Sequence, residues 1–181
     1  MPRRSTPRID PIAFEDWDEN ITRLAPNGKP LNIFKTLANH PDLMRRWIVF
    51  GNHVLSKSTL PARERELAIL RIGWLCQSEY EFGQHTRIGL DCDMTEDEIV
   101  AVTRPIADGN WSDKDAAILT ATDELHANHD ITDETWAKLS NDWSEQQLMD
   151  MVFAIGQYTL VSMALNTFGV QLDEGVRSFP S

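Results

Sequence analysis

A chain of 181 residues, 41% of them hydrophobic, is long enough to bury a core of its own and reads as one ordinary domain. Its formal net charge of −11 argues against partners that are themselves anionic, so nucleic acid and acidic membrane surfaces are not expected. Two cysteines sixteen residues apart make no disulfide framework, no apolar stretch follows the basic start to form a signal segment, and no run of eighteen apolar residues suggests a membrane span; the expectation is a cytoplasmic protein.

In chain order, residues 1–30 are broken by Pro2, Pro7, Pro11, Pro26, Gly28 and Pro30 and read as an irregular arm, with one helical turn near residues 13–20. Residues 31–181 form the helical domain. Its first short helix, over 31–38, stops before Pro41. Leu43, Trp47, Ile48, Phe50 and Val54 carry helical spacing over 42–55. Next comes the central helix, 61–77, apolar nearly all round from Leu67 to Cys76, with Pro61 tolerated in its first turn. The following helix spans 79–90. Thr95-x-x-Glu98 opens a helix over 96–102, Ser112-x-x-Asp115 opens another, and Thr132 starts a short one around Trp136 and Leu139. Ser144-x-x-Gln147 is a second capping box, before a long apolar helix over 145–166. No segment alternates with period two, so the fold class is all-α.

Chemistry concentrates at Glu66, His85 and the run between them. Glu66 begins an apolar helix, which desolvates a carboxylate and requires a donor for it. Glu81 and His85 lie four apart on the next helix, hence on one face. A short connection near 77–79 makes the two helices antiparallel and brings Glu66 and His85 face to face, within reach directly or through one water or Tyr80. The plainer alternative is a surface pair with no chemistry.

The pattern Leu60-Pro61-x-Arg63-x-Arg65-Glu66-Leu67, followed by Tyr80-Glu81-Phe82-x-x-His85, resembles the carboxymuconolactone decarboxylase family, which includes the AhpD-like alkyl hydroperoxidases. Aligning His85 with the family histidine places Glu66 on the family glutamate without a gap. It also places Ser78 and Glu81 where the AhpD-like branch has its Cys-x-x-Cys pair. The resemblance implies a single AhpD-like helical domain, assembly into homotrimers or homohexamers, and a cofactor-free, metal-free reaction. That reaction would be decarboxylation or isomerisation of a small lactone or aromatic-derived carboxylic acid by proton transfer. In such a site His85 is the acid, Glu66 orients it, Tyr80 donates to an oxyanion or extends the relay, and Glu81 raises the imidazole pKa. Arg65, Arg71 and Arg87 are candidate carboxylate anchors, the alternative for them being helix-surface pairing with Glu64 or Glu66, and Ser78 is a candidate substrate contact.

Two other classes stay open: a peroxidase-related oxidoreductase, and a non-catalytic helical oligomer. The first needs a low-pKa thiolate and a resolving thiol. Cys76 sits in an apolar run that raises its pKa, and Cys92 is flanked by Asp91 and Asp93. His126 and His129, three apart near Glu124, read as a helix end rather than metal ligands. Asn166 reads as a cap near Gly169, its alternative being a place on a cavity wall. The six tryptophans read mostly as core or subunit contacts.

Overall fold

Helix α4 (Ala62–Leu75) is the axis on which the other elements are hung, and it packs against α5 (Glu79–Asp91), α7 (Asp113–Asn128) and α9 (Glu145–Phe168). The computed structural model describes residues 4–24 and 30–180. Around α4 lie α1 (Glu19–Thr22), α2 (Asn32–Leu37), α3 (Pro41–Ser56), α6 (Glu96–Ala101) and α8 (Asp133–Asp142). Among the described residues every regular element is helical, so the protein is all-α as its periodicity implies.

The local reasons are those the sequence carries. Thr95 and Ser144 each accept from the third helical amide, while Glu98 and Gln147 return a bond to the cap backbone, so both capping boxes form. Ser112 and Thr132 cap α7 and α8 in the same way. Leu67, Ile69, Leu70 and Ile72 are fully buried because α4 has neighbours on several sides. Arg63 ties the start of α4 to α6 and α7, bonding Asp115 at 2.8 Å as well as Glu98.

The turn between α4 and α5 sets the register of the site. Gln77 takes a left-handed conformation (φ 51°), its amide bonds the Trp74 carbonyl at 2.9 Å, and the Ser78 amide bonds the Gly73 carbonyl at 2.9 Å. This is a Schellman stop, and it reverses the chain within three residues. The helices then run antiparallel at close range, with the absent side chain of Gly89 leaving room for Leu70 and Met94.

The arm is more ordered than its prolines imply. Trp17 and Ile21 pack with Ala38 and Met44 in a small core of their own, and Asp18 caps α1. Backbone bonds from Arg8 to Phe168 and from Ile12 to Lys35 fasten it to its own chain. Pro2, Pro26 and Gly28 lie outside the described residues. Helix α9 departs from the sequence reading in another way. It is long and apolar enough by length and composition to cross a membrane, yet half of that stretch is buried inside the fold, as a core helix would be.

Candidate active site

The antiparallel pairing of α4 and α5 builds a chain of four charged groups. Glu66, fully buried, receives the Arg65 Nε–H on Oε1 at 3.1 Å and the His85 Nδ1–H on Oε2 at 2.5 Å. The other ring nitrogen of His85 lies 2.8 Å from Glu81 Oε1. With a carboxylate on each nitrogen, both must donate, so the ring is an imidazolium. Burial alone would lower the His85 pKa, but Glu66 and Glu81 together outweigh it and raise it well above the ordinary value. Glu66 shows the mirror image: burial would raise it, and His85 with Arg65 holds it low. Arg65, Glu66, His85 and Glu81 thus alternate in sign and sum to zero, which is what permits four charges in a nearly dry place.

Glu81 is the end of this chain that meets open space. Together with His85 it lines a cavity of about 400 Å³ whose other walls come from α2, α3, α9 and the arm. Most of the wall is apolar, with Ile33, Phe34, Trp47, Leu55 and Val161 prominent. The second oxygen of Glu81 has no protein hydrogen-bond partner among the described residues. The sequence reading brought Glu66, Glu81 and His85 together correctly in space, but it passed over two residues of α9. Gln157 and Tyr158, both nearly buried, line the same cavity, and the Tyr158 ring stands edge-on to His85 with centroids 4.6 Å apart. The available signal was two adjacent polar-capable residues interrupting the apolar run of α9.

Tyr80 also lines the cavity, but its hydroxyl is spoken for. It donates to Asp173 Oδ2 at 2.5 Å and accepts from the Ile33 amide at 3.3 Å. Burial first, then the bond to Asp173, drives its pKa far up. Asp173, in the carboxyl-terminal tail, also receives Gln84 at 2.8 Å and the Asn32 amide at 2.9 Å. The tail lies directly on α5, where a side chain at Gly83 would collide with the Arg177 carbonyl. Tyr80 therefore makes no hydrogen bond to the Glu66–His85 pair, and the expected relay through it does not form.

The arginines separate. Arg65 belongs to the charge chain. Arg71 does not: Asp123 holds it in a bidentate pair at 2.7 Å, and its Nη1 donates to the carbonyls of Val102 at 2.7 Å and Arg104 at 2.8 Å. Four of its five N–H donors are engaged and it is absent from the cavity wall, which corrects its candidacy as an anchor. Arg87 is exposed and absent from the cavity wall, a second correction. The guanidinium that does line the cavity is Arg23, from the arm, and it also pairs with Glu19. Ser78 is fully buried at the start of α5, away from the cavity wall, and its hydroxyl has no partner among the described residues.

A larger cavity, about 540 Å³, lies between the carboxyl ends of α4 and α9 and contains none of Glu66, Glu81 or His85. Asn166 lines it and bonds the Cys76 carbonyl at 3.0 Å, while Gly169, left-handed at φ 71°, caps α9. The cap reading of Asn166 is corrected accordingly. Cys76 is only partly buried and lies 3.9 Å from His126 Nδ1; burial raises its pKa. Cys92 is raised first by burial, then by Glu66. Cys76 ends α4 and Cys92 ends α5, so antiparallel packing puts them at opposite ends of the pair, roughly 20 Å apart at 1.5 Å per helical residue. A disulfide needs Cα atoms within about 7 Å. Among the described residues no group of three His, Cys, Asp or Glu side chains could hold a metal ion.

The comparisons with known proteins agree with this architecture. The carboxymuconolactone decarboxylase family model matches residues 41–124, which include Glu66, Glu81 and His85. An alkylhydroperoxidase AhpD-core, peroxidase-related protein from Ralstonia eutropha JMP134 superposes with a TM-score of 0.82 at 17% identity, covering 94% of both chains. A peroxidase-related protein from Silicibacter sp. TM1040 gives 0.77 at 13% identity, covering 98% of this chain and 95% of the other. A variant of the debrominase Bmp8, in complex with 2,3,4-tribromopyrrole, gives 0.74 at 11% identity, covering 96% and 95%. No curated protein matches the chain. Identities this low carry the fold and no activity. The chain thus carries a carboxymuconolactone decarboxylase family match over residues 41–124 on an AhpD-like fold, without the Cys-x-x-Cys pair.

Proposed function

We propose that the protein is a cofactor-independent acid–base enzyme, a decarboxylase-like lyase or an isomerase, acting on a small unsaturated lactone or aromatic-derived carboxylic acid. The observation that carries this reading is an imidazolium clamped between two buried carboxylates, one of which fronts a mostly apolar cavity. Because both nitrogens of His85 are engaged, the group that meets substrate is Glu81. Its free oxygen takes a proton from carbon or returns one, while His85 holds the other oxygen and Glu66 holds His85. The apolar wall excludes water from the carbanion-like intermediate, and Arg23 is the cation placed to receive a substrate carboxylate. Arg65, Glu66, His85 and Glu81 sum to zero, so that chain adds no net positive charge to compete with that role. Tribromopyrrole in the debrominase is likewise a small ring, which makes halogenated and aromatic heterocycles sensible members of a screen.

The test is a screen of small lactone acids and aromatic-derived acids, following carbon dioxide release and proton exchange from solvent deuterium. Activity that survives both Glu81→Gln and His85→Ala would remove the acid–base reading. The peroxidase-related alternative has the relatives' names in its favour and the thiol geometry against it.

The same reading includes assembly as a homotrimer or homohexamer. Met149, Phe153, Leu160 and Met163 form an exposed apolar stripe along α9, beside Val49 and Phe50 of α3. A second copy is the occupant that suits a self-complementary apolar face. Light scattering that returned a stable 20.6 kDa monomer at micromolar concentration would sink it.

A further inference from the structure

We infer that Tyr158 is a catalytic hydrogen-bond donor of this site, holding the oxyanion that forms on a substrate carbonyl while Glu81 moves the proton. The inference rests on the acid–base reading above and assigns that reaction a second group.

The chain has two tyrosines, and they differ in what their hydroxyls do. Tyr80 is satisfied by Asp173 and the Ile33 amide. Tyr158 is 6% exposed, and its hydroxyl makes no hydrogen bond to protein among the described residues. Its oxygen is not among the buried atoms left without a partner, so the hydroxyl reaches open space rather than protein. Tyr158 lines the cavity beside Glu81 and His85, so the missing partner belongs to whatever fills that cavity. Its position is fixed by the ring packed edge-on against His85 at 4.6 Å, not by its oxygen. An oxygen held in place by its ring, with its donor uncommitted, is a preorganised group for charge that appears only during reaction.

Protonation state supports the role. Burial, then the charges of Glu81 and Glu66, push the Tyr158 pKa well above its usual value, so it stays a donor wherever the protein is folded near neutrality. The step balances without any further reactant. Glu81 takes the proton from the carbon next to a conjugated carbonyl, the C–H pair becomes a C=C bond, and the carbonyl π pair moves onto oxygen. Tyr158 hydrogen-bonds that oxygen. Return of the proton from Glu81 to another carbon of the conjugated system restores the carbonyl and the carboxylate. In the decarboxylating version the broken bond is C–C, the electrons follow the same path, carbon dioxide leaves, and the carbon then takes one proton that Glu81 delivers from solvent water, the hydroxide left behind combining with carbon dioxide as bicarbonate.

The experiment compares wild type with Tyr158→Phe, which keeps the ring and removes one oxygen. Phenol, un-ionised at pH 7, serves as a neutral probe whose hydroxyl can donate to Glu81 and accept from Tyr158. Calorimetric titration should show phenol binding weakened about threefold to tenfold in Tyr158→Phe. The melting temperature should not fall, since no hydrogen bond within the protein is lost. Deuterium exchange into cyclohex-2-enone, read by NMR, should drop about a hundredfold or more in kcat with little change in KM. Equal phenol affinity in the two proteins, or no phenol binding by wild type, overturns the inference. Exchange abolished by Glu81→Gln but untouched by Tyr158→Phe overturns the role of Tyr158 and leaves the acid–base reading standing. Exchange untouched by either variant overturns both.

Discussion

Two buried guanidinium clusters share α4, and they finish in opposite ways. Around Arg71 every donor used is matched: Asp123 takes two, and the carbonyls of Val102 and Arg104 take Nη1. Around Arg65 the charges run on through Glu66 and His85 to Glu81, whose last oxygen faces a cavity. The first cluster is closed and fastens α4 to α7 and the loop after α6. The second is left open at Glu81, whose second oxygen is not taken by protein among the described residues, and chemistry needs that opening. Residue type does not distinguish them, since both begin with a buried arginine beside a carboxylate. The difference is whether the final acceptor is protein.

If that contrast is right, the two clusters should differ in an activity assay. Glu81→Gln should lower the rate of any proton-transfer activity by roughly two to four powers of ten, and, because the buried chain is left one positive charge in excess, should also lower the denaturation midpoint. Arg71→Leu should destabilise the fold by about 1–3 kcal/mol, because the carbonyls of Val102 and Arg104 lose their donor, while the folded fraction keeps its specific activity. A loss of specific activity in folded Arg71→Leu as large as in Glu81→Gln would erase the distinction. Glu66→Gln lies between, keeping a hydrogen-bond acceptor but misorienting the imidazole, and a rate that matched wild type would exclude Glu66 as its positioning group.

Tyr80→Phe extends the comparison to the tail. It removes a bond to a carboxylate, worth about 1.5–3 kcal/mol, and should appear as a lower melting temperature. The pH dependence follows from the two shifted groups. His85 is raised, so its contribution to stability is complete below its ordinary value of 6.5 and declines as pH rises toward the raised one. Glu66 is lowered, so its contribution is complete above 4.5 and is lost as pH falls through the lowered value. Melting temperature should therefore peak between those two values and fall on the alkaline side, and His85→Gln should flatten that alkaline limb. A wild-type profile still rising from pH 6.5 to 9 would contradict the clamped imidazolium. The smallest effect is expected from Cys76→Ser with Cys92→Ser, which should retain activity. Loss of a peroxide-dependent activity in that folded double variant would bring the oxidoreductase reading forward.

The helical class, the starts of α6 through α9 and the pairing of Glu66 with His85 were legible in the chain because each depends on neighbours close in sequence. Thr95 and Glu98, or Ser144 and Gln147, meet within one helical turn, and a short turn after α4 leaves antiparallel packing as the simple way to bury both helices. Arg65 and Arg71 carry no such local mark. Six residues apart at 3.6 per turn, they leave α4 in different directions, and only the placement of α5, α6 and α7 decides which partner each meets. Asp173 on Tyr80 and Tyr158 against His85 join positions more than seventy residues apart. Those contacts exist because the tail and α9 pack across α5, and burial, which sets the charge on His85 and leaves Tyr158 without a partner, is a property of that packing alone.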